Sequence, residues 1–93
     1  MFVLELAHFR ARPDHVRQLS ARRTALMRAL RSRYRGFRSA HIARVCDDEW
    51  VDVSLWNTRQ DAEDAAREIF DLVEMADWRA HIGEWSAGPV APA

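Results

Sequence analysis

The chain has 93 residues, 48 % of them hydrophobic and 30 % charged, with 14 basic and 14 acidic side chains and a formal net charge of zero. A chain of this size and composition suits one compact domain spanning residues 1–93, which buries only roughly 60–68 % of its unfolded surface, so a partner that covers more surface is expected. No apolar run approaches the ~18 residues of a membrane span, and Glu5 and His8 break the N-terminal stretch where a signal peptide needs an apolar centre. A cytoplasmic protein with no membrane partner is expected.

Phe2 to Phe9 is rich in strand formers and is followed by Arg10-Ala-Arg-Pro13, which reads as a first strand and a short turn. Asp14 can cap a helix over residues 15–34, where Val16, Leu19, Leu26, Met27, Leu30 and Tyr34 recur at helical spacing, and Gly36 stops it. Phe37 to Cys46 and Trp50 to Asn57 read as a hairpin closed by the turn Asp47-Asp48-Glu49. Thr58 and Asp61 match the [ST]-x-x-[DE] cap of a second helix, with an inner stripe of Ala62, Ala65, Ala66, Ile69, Val73 and Ala76. That helix is expected to break near Asp77-Trp78 and to end by Gly83. In the tail, Pro89 and Pro92 restrict residues 85–93 to a short edge strand or an arm laid on a partner.

The order β-α-β-β-α-(β) with short connections predicts an α+β, ferredoxin-like sandwich, an antiparallel sheet with the helices on one face. Right-handed crossovers place the first and third strands side by side. Strand residues alternate between faces. Phe2, Leu4, Leu6 and His8 share a face with Val51, Val53 and Leu55, a nearly pure aliphatic set. Val3, Glu5, Ala7 and Phe9 share the other with Trp50, Asp52, Ser54 and Trp56, where aromatics mix with polar groups. The aliphatic face needs a cover that two helices cannot supply, and the economical cover is the same face of a second copy. A homodimer is expected, with a polar and aromatic pocket beneath the alanine-rich second helix of each subunit.

Charge is unevenly placed. Residues 15–46 hold nine arginines and no acid, whereas residues 47–93 hold twelve acids and three arginines. The basic and acidic helices are expected to lie together and neutralise each other, and no nucleic-acid partner is expected. Arg35-Gly36-Phe37 matches only the start of an RNA-recognition signature, and on the wrong strand for it. The single Cys46 can form neither an internal disulfide nor a cysteine zinc cluster. All basic residues are arginine, so Schiff-base and pyridoxal chemistry lack their lysine, and neither GxGxxG nor GxxxxGK[ST] occurs. No cofactor and no metal are expected.

The strand closing in Phe9-Arg10-x-Arg12-Pro13, the Gly36-Phe37 opening of the second strand, and Trp56 ahead of Asn57-Thr58-x-x-Asp61 resemble the dimeric α/β-barrel superfamily. Within it the antibiotic-biosynthesis monooxygenase-like domains are the nearest likeness, and the resemblance covers residues 2 to about 88. It implies sheet-to-sheet pairing into a barrel and, as activity, cofactor-free oxygenation of an aromatic polyketide-like molecule. Polyketide cyclisation or isomerisation in the same pocket, or a non-catalytic ligand-binding or partner-binding module, are the alternatives. Anthrone-oxidising members have a tryptophan matched by Trp56, an asparagine four positions earlier where this chain has Asp52, a tyrosine where it has Ala62, and an arginine matched by Arg79. The haem-degrading branch has an asparagine and a tryptophan where this chain has Ala7 and about Ala65, so haem degradation is set aside.

Cofactor-free oxygenation requires a base that takes a proton from an electron-rich phenol or anthrone, and a carboxylate in apolar surroundings suits that role. Asp52 is the candidate. A three-residue turn would instead place Arg44 opposite it in a structural salt bridge, whereas a turn one residue shorter or longer puts His41 on the face of Trp56. Trp56 and Arg79 join Asp52 as catalytic candidates, with His41 and His81 as proton shuttles. Trp50, Ser54, Glu5, Arg23 and Tyr34 are the substrate-binding candidates. Trp50 and Trp56 could sandwich a planar ring, and Arg23 sits at the centre of the first helix's apolar stripe, where it would meet an enolate or pair with an acid.

Overall fold

The computed structural model describes residues 1–11, 13–83 and 85–92. Its elements are β1 (Val3–Arg10), α1 (Val16–Arg33), β2 (Phe37–Cys46), β3 (Glu49–Trp56), α2 (Arg59–Glu68), α3 (Val73–Arg79) and β4 (Trp85–Pro92), with short 3₁₀ turns at Pro13–His15 and Ile69–Asp71. Arg12, one of the residues behind the family resemblance, lies outside the described residues. The strands form one antiparallel sheet in the order β2-β3-β1-β4. The helices cover one face of it, as expected of an α+β, ferredoxin-like fold. No helix among the described residues is long and apolar enough to cross a membrane.

Pairing of β1 with β3 sets which residues share a face. Val3 lies opposite Trp56, Glu5 opposite Ser54, Ala7 opposite Asp52 and Phe9 opposite Trp50, and this mixed set faces the helices. Val3, Ala7, Phe9, Asp52 and Trp56 are buried there, while Phe2 and Leu6 on the other face are 48 % and 40 % exposed. The alternation of polar and apolar residues therefore sorts the faces as the sequence suggests. β4 is an edge strand on β1, and its register shifts between Glu5 and Ala7, opposite Gly88 and Pro89. A bulge at that point accommodates a proline that has no N–H for the ladder.

Several expectations change in detail. The hairpin turn is the two-residue Asp47-Asp48, with Cys46 opposite Glu49, and Asp47 takes a left-handed φ of 43° that aspartate tolerates. A bulge between Arg44 and Cys46 then shifts β2 by one residue, so Arg44 faces Trp50, Ile42 faces Asp52 and His41 faces Val53. A single inserted residue reverses the faces beyond it, here as far as a second shift between Ser39 and Phe37 that puts Phe37 opposite Trp56. Arg44 cannot pair with Asp52; its Nε donates to the Asp47 carbonyl at 2.6 Å. Gly36 has no positive φ, and α1 ends in an extended Tyr34. What position 36 requires is space, because a Cβ there would lie 2.3 Å from the Asp61 Cγ.

The second helix starts as its cap predicts, with the Thr58 hydroxyl accepting from the Asp61 N–H at 3.1 Å. It breaks earlier than expected. The 3₁₀ turn at Ile69–Asp71 and the extended Leu72 start α3 afresh, with Met75 and Trp78 inward. Ala62 and Ala65 are buried, but Val73 is 66 % exposed and Ala76 is exposed, because the break changes the phase of the stripe. The core joins these helices to the sheet through Leu19, Leu26, Leu30, Phe37, Trp56 and Trp78. Each large apolar side chain buried in this way contributes roughly 1.5–3 kcal/mol.

The charged helices do not neutralise each other. Arg17, Arg22, Arg28, Arg31 and Arg33 of α1 are exposed, and among the described residues the one ion pair made by α1 is that of Arg23 with Asp52. At the end of α1 the Tyr34 hydroxyl donates to Glu68 of the second helix at 3.3 Å. Charge separation along the chain persists on its surface.

Candidate functional site

A cavity of about 70 Å³ lies between the covered face of the sheet and the helices. β1 contributes Glu5 and Ala7, β3 contributes Asp52, Ser54 and Trp56, and α1 contributes Arg23 with Leu26, Met27 and Leu30. Ala65 and Ala66 of α2, Ile69 and Phe70 of the 3₁₀ turn, and Met75 and Trp78 of α3 complete the wall. Small alanines leave the space, and the sheet supplies the polar floor.

Arg23 and Asp52 are its strongest polar contact. Both guanidinium NH groups donate to the two Asp52 oxygens, at 2.5 and 2.6 Å, and the residues are 8 % and 6 % exposed. Such a bidentate pair is short and directional, and it needs both members, because either one alone would be a buried, unpaired charge. The Arg23 guanidinium also lies over the Trp78 ring, 5.1 Å from its centroid. A proton taken up by Asp52 would cost Arg23 its counter-charge, so the geometry sets Asp52 first as the partner of a buried guanidinium.

Glu5 differs. It is half-buried, and among the described residues it has no hydrogen-bond or ion-pair partner. Burial in the cavity pushes its carboxyl above the ordinary value, and the negative charge of Asp52 pushes the same way. Opposite Ser54 and diagonal to Asp52, it lies about 7–8 Å from Asp52 by sheet geometry.

The two tryptophans are unusual in another respect. Trp56 and Trp78 are 2 % and 0 % exposed, and neither indole N–H has a hydrogen-bond partner. A buried donor left unpaired costs about 1–3 kcal/mol. Their rings are held by edge contacts, Trp56 against Phe37 and Trp78 against Phe9, each at 5.3 Å. Both residues line the cavity, and both N–H groups are buried without an acceptor.

Other sequence candidates fall outside. His41 is exposed on the uncovered face, the consequence of the bulge. His81 packs against His15, with ring centroids 6.3 Å apart. Trp50 stacks on Phe9 at 6.1 Å and does not line the cavity, so it forms no sandwich with Trp56. Tyr34 lies behind Trp56 at 6.1 Å, its hydroxyl turned to Glu68. Arg79 is exposed and sits over the outer ring of Phe70 at 5.1 Å, one layer beyond the cavity. Glu5, Arg23, Asp52, Ser54 and Trp56 are the candidates brought together. Trp78 was missed, although Met75, Trp78 and Ile82 have helical spacing that restarts after Leu72. Among the described residues, no group of three His, Cys, Asp or Glu side chains is placed to hold a metal ion.

No family model and no curated protein matches the sequence. Solved structures do. A variant of SnoaB, a cofactor-independent oxygenase from Streptomyces nogalater, superposes with a TM-score of 0.69 at 20 % identity, over 99 % of this chain and 92 % of that one. The fold is that of antibiotic biosynthesis monooxygenase-like proteins. A putative antibiotic biosynthesis monooxygenase from Caulobacter crescentus CB15 gives a TM-score of 0.76 at 10 % identity, over 99 % and 89 % of the two chains. One from Bordetella bronchiseptica gives 0.73 at 17 %, over 99 % and 96 %. The likeness is one of fold, and it agrees with the resemblance read from the sequence.

Proposed function

We propose that the protein oxygenates a small electron-rich aromatic, of the phenol or anthrone kind found in polyketides, without a cofactor. The observation that carries this reading is the cavity itself: a mostly apolar space lined by a half-buried carboxyl that has no partner among the described residues and by two tryptophans whose buried N–H groups are unpaired. The fold shared with SnoaB supports it. A cavity carboxylate takes a proton from the substrate carbon, and the electron pair passes into the ring system. The resulting carbanion gives its electrons to dioxygen, and a carbon–oxygen bond forms. Loss of water from the peroxide leaves a quinone, so that anthrone and one dioxygen yield anthraquinone and one water. Apolar walls shelter the carbanion from solvent protons until dioxygen arrives.

Size constrains binding. A cavity of about 150 Å³ holds benzene, and the space here is about 70 Å³. Admission of a ring therefore displaces part of the wall, and Ile69 and Phe70 lie where α2 and α3 are interrupted. Oxygen uptake with anthrone, in the absence of flavin and with a metal chelator present, tests the reading. Uptake matched one to one by quinone formation is expected. Product without uptake would instead indicate cyclase-type chemistry, and no turnover would remove the reading.

The second copy belongs to the same proposal. Phe2, Leu6 and the outward Val51, Val53 and Leu55 form an apolar face that the helices do not cover. Burial of that face against its equivalent would make a two-fold homodimer with one cavity on each outer side.

A further inference from the structure

We propose that Glu5 is the residue that takes and returns the substrate proton, and that the indole N–H of Trp78, together with that of Trp56, receives the oxygen on which negative charge develops. This inference rests on the oxygenation reading and assigns its acid–base group and its ligand chemistry. The ligand is a carbonyl compound with an acidic C–H or O–H close to the carbonyl, small enough for its reacting edge to enter the cavity.

The geometry distributes the roles. Glu5, Arg23 and Asp52 are the charged side chains that line the cavity; α2 and α3 contribute Ala65, Ala66, Met75 and Trp78, none of them charged. Arg23 engages both Asp52 oxygens through two short hydrogen bonds, so a proton on Asp52 would leave the buried guanidinium without its counter-charge. Glu5 keeps both carboxyl oxygens available, beside the Ser54 hydroxyl on the opposite strand. Trp56 stands on the sheet and Trp78 on the helix above it, both lining the space with indole N–H groups that lack an acceptor. As the C–H bond breaks, its proton goes to a Glu5 oxygen and its electron pair enters the enolate, whose oxygen accepts from the two indoles. The same proton leaves with the water that completes the reaction. Burial and the charge of Asp52 hold Glu5 above its ordinary value, which favours a carboxylate that takes a proton readily.

The test is the pH–rate profile of anthrone oxidation by the wild type, Glu5→Gln and Asp52→Asn. In the wild type the rate falls on the acid side as Glu5 becomes protonated. Glu5→Gln is expected to lose at least a hundredfold in rate, on the scale of a removed general base, and to lose the acid limb. Asp52→Asn removes a negative neighbour and frees the Arg23 charge, so its acid limb is expected to persist and to move to lower pH. An acid limb that survives in Glu5→Gln and vanishes in Asp52→Asn would overturn the assignment in favour of Asp52. Should Asp52→Asn fail to fold, the limb in Glu5→Gln decides alone: absent supports Glu5, present overturns it.

A binding arm separates this inference from the oxygenation reading. 1,8-Dihydroxyanthraquinone is titrated against tryptophan fluorescence between pH 4 and 7. The expected result is tighter binding as pH rises, no such dependence in Glu5→Gln, and about tenfold weaker binding in Trp78→Phe, the worth of one hydrogen bond. If anthrone is not oxidised but these shifts occur, the reading fails and the site assignment stands. Unchanged binding in both variants overturns the assignment whether or not oxygen is consumed.

Discussion

The two faces of one sheet are built from the same strands, yet they have opposite characters. On the covered face, Asp52 and Arg23 form a buried bidentate pair and Trp56 and Trp78 leave their N–H groups unpaired. On the open face one residue away, Leu6 and Phe2 are exposed beside Val51, Val53 and Leu55, with His8 and His41 among them. Period-two alternation lets eight residues of β1 serve both faces: alternate side chains line a mostly apolar cavity with a polar floor on one side and the surface proposed for association on the other. The covered face carries the proposed chemistry, and the open face carries the proposed association.

Substitutions on each face should therefore fail in different ways. The largest effect is expected from Asp52→Ala, which strands the buried Arg23 charge and should cost about 3–5 kcal/mol of unfolding free energy in urea. A loss below 1 kcal/mol would mean the pair is not desolvated in solution. On the open face, Leu6→Asp should convert a sedimenting dimer into a single chain, with the near-ultraviolet signal of the core tryptophans intact. A wild type that already sediments as one chain would break the comparison on that side.

Glu5→Gln should have the opposite sign to Asp52→Ala. A carboxyl raised above its ordinary value of 4.5 favours the folded state while it is protonated, and that contribution is lost as pH rises through the folded-state value. Above pH 4.5, where the unfolded chain's carboxyl ionises, the raised Glu5 therefore costs the fold stability. Glu5→Gln should raise the melting temperature at pH 7, with the gain vanishing below pH 4.5. An equal gain at both pH values would point to packing rather than charge. The smallest effect is expected at the rim, where Arg10 pairs with Asp48 and Glu49 at 2.9 and 3.0 Å through side chains more than 40 % exposed. Arg10→Ala should cost about 0.2–1 kcal/mol, the usual worth of an exposed pair.

The element order, the central pairing of β1 with β3 and the sorting of the two faces were legible in the sequence, because they depend on periodicity and short connections. Arg23 was legible too, since a lone charge in an apolar helical stripe must meet a partner. The bulge at Val45 was not. It lies in a run of strand formers that shows no sign of an extra residue, and it decides that His41 faces away from the cavity. The break at Ile69–Asp71 was hidden similarly, since an alanine and isoleucine stripe continues on paper through Val73 and Ala76. Asp52 and Glu5 were both picked out, but their roles depend on which carboxylate Arg23 reaches, a tertiary contact across 29 residues.

The covered cavity as ligand site is tested most directly by the indole resonances. In a ¹⁵N-labelled sample titrated with 1,8-dihydroxyanthraquinone, the Nε1–H signals of Trp56 and Trp78 should move downfield together as they gain an acceptor, while that of Trp50, outside the cavity, stays in place. If the Trp50 signal moves and those of Trp56 and Trp78 do not, the ligand site lies elsewhere on the molecule.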